Sequence, residues 1–377
     1  MRNTLLCTVG TSFFAGNLKL LLENRHPDPP PNSGRIIDSF NSKDWKQLAK
    51  EIISIGDPTK RICGAEINTI EEVRNKKWLT LENIIFLVSD TNEGKDTGIF
   101  LTEYFTFRSD INLKLVEYAI VSELQDKRPK DFKIHGLRNL VRKIGEYIQR
   151  FGGSDYVAID ATGGYKAQIA IAVVIGQALN IPVYYKHEFF SELIDFPPLP
   201  VSLDYEILAK NADILTDFER GKTFTKTELG ELNESLKVLL TEVDIDGEVL
   251  YELSPIGQIY LTGFRLRNPK PIKLVPSTKR KQPTFGNDHH YPRGFKDFAE
   301  KIWAENKWID FVHSEPYDKQ KSIKGIGFCV MKDENEYKLI GTFKDKDFGA
   351  IFRLRLADES LTALTWAADI LNQKYKP

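Results

Sequence analysis

A short apolar run, Tyr156–Ile159, breaks into Asp160-Ala161-Thr162-Gly163-Gly164-Tyr165-Lys166 and resumes as an apolar stretch to Leu179. A buried strand that empties into paired glycines and re-enters a helix predicts a strand–loop–helix unit of a parallel sheet. The glycines let backbone approach a ligand, the helix N-terminus offers amides and dipole, and Lys166 adds a full positive charge. Those are the requirements of phosphate. The Walker loop needs a longer spacer before its Gly-Lys pair and a following Ser or Thr, and the Gly-x-Gly-x-x-Gly fingerprint is missing too. ATP hydrolysis and nicotinamide chemistry are therefore poor readings.

The same punctuation occurs earlier. Thr4–Val9 is apolar and stops at Gly10-Thr11-Ser12, where short hydroxyls and bare amides suit a phosphate or ribose, or equally a turn with a helix N-cap. Asn83–Val88 is a second buried run, ending in Ser89-Asp90-Thr91-Asn92-Glu93-Gly94. Helical spacing covers Asn17–Glu23, Trp45–Ile55, Ala65–Arg74, Asp96–Phe107, Leu137–Phe151 and Gly163–Leu179, and Pro182–Tyr185 gives another strand. The alternation predicts an α/β, Rossmann-like parallel sheet over residues 1–200, closed by Pro197-Pro198-Leu199-Pro200. Ligands of such sheets bind beyond the carboxyl ends of the strands, where both polar motifs fall.

Residues 201–268 read as helices (Tyr205–Arg220, Lys226–Leu240) and a strand–turn–strand over Val249–Tyr260, an order that suggests a winged helix-turn-helix. Residues 269–285, proline-rich with Lys279-Arg280-Lys281, read as a basic linker. From 286 to 377 the expectation is a small α+β domain: helix Phe295–Glu305, strands Gly325–Met331, Tyr337–Phe343 and Ala350–Leu356, helix Ser360–Lys374.

Charge follows this division. Arg265–Pro377 carries 22 Lys and Arg against 15 Asp and Glu, a balance of +7, whereas the remainder has 30 against 38, or −8. A basic end on an acidic body is expected where that end touches phosphate. The three cysteines, Cys7, Cys63 and Cys329, lie far apart in apolar runs and suit reduced core positions in a cytoplasmic protein. No stretch approaches the roughly 20 apolar residues that span a bilayer, so a soluble protein without a membrane partner is expected. No zinc-ligand spacing occurs, and neither a metal nor a cofactor is expected.

The Thr8-Val9-Gly10-Thr11-Ser12 strand end, the Ser89–Gly94 loop and Ala161-Thr162-Gly163-Gly164-Tyr165-Lys166 together resemble the CARF (CRISPR-associated Rossmann fold) sensors, over roughly residues 1–200. The resemblance implies a homodimer that binds cyclic tetra-adenylate across its two-fold axis. It assigns ligand contacts to Gly10, Thr11, Ser12, Gly163, Gly164, Tyr165 and Lys166, and the same motifs add Thr8, Asp90, Thr91 and Thr162. Ser12 and Lys166 also stand where some such sensors cleave their ring.

The chain as a whole resembles the CARF–winged-helix–RelE mRNA interferases of type III CRISPR defence. That resemblance implies an activated, ribosome-dependent endoribonuclease that cuts mRNA by metal-independent 2′-OH attack, with ribosome and mRNA as partners. The effector candidates are Lys319, Lys321 and Lys324 before one strand and Arg353 and Arg355 within another. The last two share a sheet face by the two-residue period, as a phosphate clamp would. His289, beside His290 in a loop, suits general acid–base work, and His313, after a helix, is a further candidate. Alternatives stay open: a ring nuclease, a metal-dependent PD-(D/E)xK nuclease using Glu336-Tyr337-Lys338 with Asp318 or Asp333, or a ligand-responsive winged-helix transcriptional regulator. Glu228, Glu231 and Glu234 against Lys237 disfavour DNA recognition by the middle helix.

Overall fold

The computed structural model describes residues 2–187, 192–230, 232, 234–245, 247–268, 270, 274, 276–286, 290–315, 323–334, 336–345 and 348–377. They form two compact units, Met1–Ser202 and Leu203–Pro377.

Unit 1 runs β1 (Thr4–Thr8), α1 (Lys19–Leu22) after a π-helical turn, α2 (Ser33–Asn41), α3 (Trp45–Ile53), α4 (Ala65–Asn75), β2 (Asn83–Ser89), α5 (Asn92–Phe107) and β3 (Leu115–Val121). It continues α6 (Pro129–Asp131), α7 (Leu137–Arg150), β4 (Val157–Asp160), α8 (Lys166–Leu179), β5 (Val183–Tyr185) and β6 (Ile194–Phe196). The sheet order is β3-β2-β1-β4-β5-β6, parallel except for β6. β1 and β2 are buried along their whole length, as continuous apolar runs in a doubly covered parallel sheet must be. One face packs Phe13, Phe100, Tyr104 and Ile70 in a single apolar cluster. Among the described residues no helix is long and apolar enough to cross a membrane.

That strand order reverses direction at β1, whose neighbours are β2 on one side and β4 on the other. Chains leaving β1 and β4 therefore diverge to opposite faces, and the carboxyl ends of these two strands are where ligands of such sheets bind.

Unit 2 runs α9 (Glu206–Lys210), α10 (Ala212–Glu219), β7 (Phe224–Thr225), α11 (Lys226–Leu229), α12 (Glu234–Val238), β8 (Leu240–Ile245), β9 (Glu248–Leu253) and α13 (Pro255–Arg267). After α14 (Phe295–Glu305) come β10 (Ile309–Glu315), β11 (Gly327–Asp333), β12 (Glu336–Lys344), β13 (Gly349–Leu356) and α15 (Leu361–Tyr375). Two sheets result, β7-β9-β8 and the antiparallel β10-β13-β12-β11. In the larger one Phe328, Val330, Leu339, Phe352 and Leu354 meet Phe295, Ile302, Leu364 and Leu371 from α14 and α15. The buried Asn372 side chain pins α15 to β11, accepting from Phe328 N at 2.9 Å and donating to Phe328 O at 2.7 Å.

Several expectations are corrected here. Val249–Tyr260 is not strand–turn–strand: β9 stops at Leu253, and Ser254 caps α13 by accepting from Gly257 N at 3.0 Å. Ser-Pro is an N-cap followed by the position where proline's missing donor costs nothing. Lys226–Leu240 is not one helix, because Gly230 at φ 73° ends α11 and Leu240 already belongs to β8. Tyr205–Arg220 divides at Asn211. Among the described residues the small domain has four strands where three were expected, since Ile309–Glu315 pairs with β13 and carries His313 within it.

Nor does the described part of the expected linker hang free. Lys281 N donates to Asp310 O at 2.9 Å, Thr284 N to Val312 O at 3.0 Å, and the Arg280 guanidinium lies 3.9 Å from the Trp303 ring centroid. An exposed edge strand leaves backbone groups unpaired, and this extended segment pairs those of β10. The helices before it are tied to α15 by Arg265, which bonds both Glu219 (2.6 Å) and Asp369 (2.8 Å). Arg220 donates to the carbonyls of Asn372, Gln373 and Lys376, satisfying the orphan end of α15.

Candidate functional site

At the β1/β4 switch point the two loops are in contact. A Cβ on Gly10 would lie 2.8 Å from Gly164 N, and a Cβ on Gly163 would lie 2.8 Å from Gly10 N and 2.9 Å from Thr8 O. Glycine is required here by the approach of loop to loop. Gly164, at φ 106°, makes the turn into α8. Gln168 Oε1 accepts from Tyr165 N at 3.3 Å, half of a capping box.

Two buried carboxyls carry the loops from beneath. Glu66 Oε1 accepts from Gly10 N at 3.0 Å, and Asp160 Oδ1 accepts from Thr162 N at 3.0 Å. Burial pushes Asp160 up to about 7, with Glu66 adding to the rise. Burial raises Glu66 as well, and burial, Asp160 and Glu66 together hold the Cys7 thiol protonated. Asp160 Oδ2 has no hydrogen-bond partner among the described residues.

The predicted ligand residues divide into two groups. Thr8 is fully buried and donates to Gly163 O at 2.6 Å; Thr162 Oγ1 accepts from Lys186 N at 3.0 Å and Thr69 Oγ1 at 3.1 Å. Thr91 caps α5 by accepting from Gly94 N at 2.9 Å, and Asp90 pairs with Lys95 at 3.3 Å and accepts from Glu123 N at 3.4 Å. The hydroxyls and carboxylate of these four hold loops in place. Ser12 and Lys166 are exposed, Ser12 makes no cap bond, and Lys166 has no ion pair among the described residues. Thr11 is partly exposed. Tyr165, also partly exposed, sets its ring edge-on to Phe132 at 5.1 Å.

Ser12 also borders a cleft of about 380 Å³ lined by Asn17, Arg61, Asn68, Lys186 and His187. None of these was read from the sequence. Lys186 and His187 follow β5, so the rule that ligands sit at strand carboxyl ends, applied to that strand, was the available signal. Lys186 is paired with Glu72 at 2.5 Å.

In unit 2 the effector candidates scatter. Lys319, Lys321 and His289 lie outside the described residues. Lys324 donates to Glu228 O, which engages it with the end of α11. Arg353 and Arg355 do share a face, yet neither is a free clamp: Arg353 Nη2 reaches Glu359 Oε2 at 3.1 Å and Arg355 Nη2 the same oxygen at 3.3 Å. Arg353 is buried and Arg355 exposed. His313 stands opposite Arg353 across β10–β13, its Nε2 3.1 Å from Glu315. Burial lowers the His313 pKa against the pull of Glu315, and Arg353 and Arg355 lower it further. Of the alternative metal set, Asp333 faces Glu336 across the β11–β12 hairpin and is ion-paired with Lys338; Asp318 lies outside the described residues.

Fold and loops define unit 1 as a Rossmann-like domain with a polar, cation-bordered site at its switch point. Residues 61–199 match the family model of the CRISPR-associated protein Cas_APE2256, a segment that contains Gly163–Lys166 and leaves out Gly10–Ser12. No curated protein sequence matches the chain. Among solved structures it is similar to Can2 from Sulfobacillus thermosulfidooxidans in complex with cyclic tetra-adenylate. The identity is 9% over 94% of this chain and 77% of that chain, with a TM-score of 0.27, a likeness too slight to carry an argument.

Proposed function

We propose that this protein is a CRISPR-associated effector in which unit 1 binds cyclic tetra-adenylate and unit 2 cleaves RNA in response. The observation that carries the reading is the meeting of Gly10-Thr11-Ser12 with Gly163–Lys166 at the β1/β4 switch point, inside a chain whose residues 61–199 match a CRISPR-associated family. Exposed Ser12 and Lys166, together with the α8 N-terminus, offer hydroxyl, cation and amides to a phosphate. Val174, in the mostly apolar helix α8, is 44% exposed, and a second copy would cover that side, making the sensor a homodimer.

For unit 2, the helices and hairpin of Glu206–Arg267 follow the order of a winged helix, and α14 with α15 packed on the antiparallel sheet follows that of a RelE-like nuclease. The proposed activity is metal-independent cleavage of ribosome-bound mRNA. The ribose 2′-hydroxyl gives up its proton as its oxygen bonds to the adjacent 3′-phosphorus, the P–O5′ bond breaks, and the leaving 5′-oxygen takes up a proton. Ligand must favour the cutting-competent arrangement over the resting one for any switch to operate. In vitro translation with and without cyclic tetra-adenylate tests this, beside free RNA in EDTA: ligand-dependent cuts mapped to the ribosomal A site support it. Metal-dependent cutting of free nucleic acid would overturn it.

A second activity has its own support. Ser12 and Lys166 are both exposed at the site, which suits slow cleavage of the bound ring by the same 2′-OH attack. Linear products bearing a 2′,3′-cyclic phosphate, lost in Ser12→Ala, are the expected result.

A further inference from the structure

The face of the β10-β13-β12-β11 sheet turned away from α14 and α15 gathers Phe311 and His313 from β10 with Arg353 and Arg355 from β13. Registry pairs Phe311 with Arg355 and His313 with Arg353, so the four side chains share one face. The rings of Phe311 and His313 stack at 5.3 Å. Two guanidinium groups beside an aromatic platform are what single-stranded nucleic acid uses, the first for phosphate oxygens and the second for a base.

Two carboxylates occupy this face: Glu315 engages His313 Nε2 at 3.1 Å, and Glu359 engages both arginines. Glu359 takes Arg353 on Oε2 and Arg355 on both oxygens, at 3.1 to 3.3 Å. A carboxylate presents paired acceptor oxygens much as the non-bridging oxygens of a phosphodiester do. While Glu359 is seated, both guanidinium groups are engaged and one of their two positive charges is offset, which weakens the pull of the face on a polyanion. Glu359 lies in the short irregular connection between β13 and α15, and its side chain is 25% exposed, so it is reached from solvent. The pairing is also incomplete. Arg353 Nε and His313 Nδ1 are buried without hydrogen-bond partners among the described residues, an arrangement that a purely structural ion pair would be expected to resolve.

We propose that Arg353 and Arg355 form a phosphodiester clamp whose resident occupant is Glu359, and that RNA reaches this face by displacing that carboxylate. The ligand class rests on the RNA-cleavage reading above; the occupied clamp does not.

The test is fluorescence anisotropy of a short fluorescein-labelled single-stranded RNA with the full chain, without activator. Glu359→Gln is expected to tighten binding about tenfold, and the logarithmic salt slope to steepen by about one as a further phosphate is engaged. Glu336→Gln, which removes an exposed charge near Arg355 without touching the clamp, is expected to change affinity less than about twofold. Arg353→Met with Arg355→Met in the Glu359→Gln background should abolish the gain. Unchanged or weaker RNA binding by Glu359→Gln overturns the proposal, as does an equal gain in Glu336→Gln. Should Glu359→Gln lower the thermal midpoint, Arg355→Gln decides instead: weakened RNA binding supports the clamp and unaltered binding refutes it. Tighter binding without activator-dependent translation arrest would keep the clamp and remove the interferase reading. Arrest with no change of affinity in Glu359→Gln would do the reverse.

Discussion

The amide of Gly10 donates to Glu66 Oε1 at 3.0 Å, and that nitrogen lies 2.8 Å from where a Cβ on Gly163 would stand. One carboxylate and two glycines thus fix the distance between the loops. Gly163→Ala must force them apart, so a loss of about 1–3 kcal/mol is expected, a few degrees in the thermal midpoint of a unit this size. Calorimetry of the full chain, with cyclic tetra-adenylate titration alongside, measures both effects. An unaltered midpoint would show that the loops do not need this approach.

Asp160→Asn should change the pH dependence of stability. The folded-state pKa is raised from 3.8 to about 7, so the folded protein binds the proton more tightly than the unfolded chain. Its contribution is therefore full below about pH 4, falls as pH rises, and is gone above about pH 7. Asparagine keeps an oxygen for Thr162 N and has no charge to desolvate. The variant should gain about 2–4 kcal/mol on the wild type between about pH 4 and pH 8. Denaturation at both ends of that range gives the difference, and parallel curves would contradict it.

Thr8→Val and Ser12→Ala separate support from contact. Thr8 donates inside a fully buried contact to Gly163 O, so its valine variant is expected to lose about 1–2 kcal/mol of stability, with ligand affinity falling as a consequence. Ser12 is exposed and uncapped; its alanine variant should unfold like the wild type and differ only in ligand binding or ring cleavage.

Lys166→Ala removes an exposed cation at the first position of α8. Stability should stay within about 0.5 kcal/mol, while the response to cyclic tetra-adenylate is abolished. Ligand-dependent RNA cleavage by the folded variant would be incompatible with the sensor assignment.

Arg265 sits between Glu219 and Asp369, with both ion pairs partly buried. Arg265→Met leaves two carboxylates facing each other, and about 3 kcal/mol should be lost. Urea denaturation is the measurement. A transition that splits in two would show that α13 and α15 no longer unfold together.

The alternation of apolar runs with polar loops determined the parallel sheet of unit 1, because a strand buried on both faces has to be apolar throughout. Gly163, Gly164 and Lys166 were legible as a strand-to-helix turn, although the sequence read the glycines as room for a ligand and the structure uses them for the approach of Gly10 and for a turn at φ 106°. Tertiary structure alone decided what each motif residue does. Thr8, Thr91 and Thr162 look in sequence like Ser12, yet their hydroxyls are consumed by Gly163 O, Gly94 N and Lys186 N. Whether a short polar side chain faces solvent or a neighbouring loop depends on chain folded from far away. The same holds for Arg353 and Arg355. The two-residue period put them on one face, but only the turn that brings Glu359 back across β13 shows that their charges are already engaged.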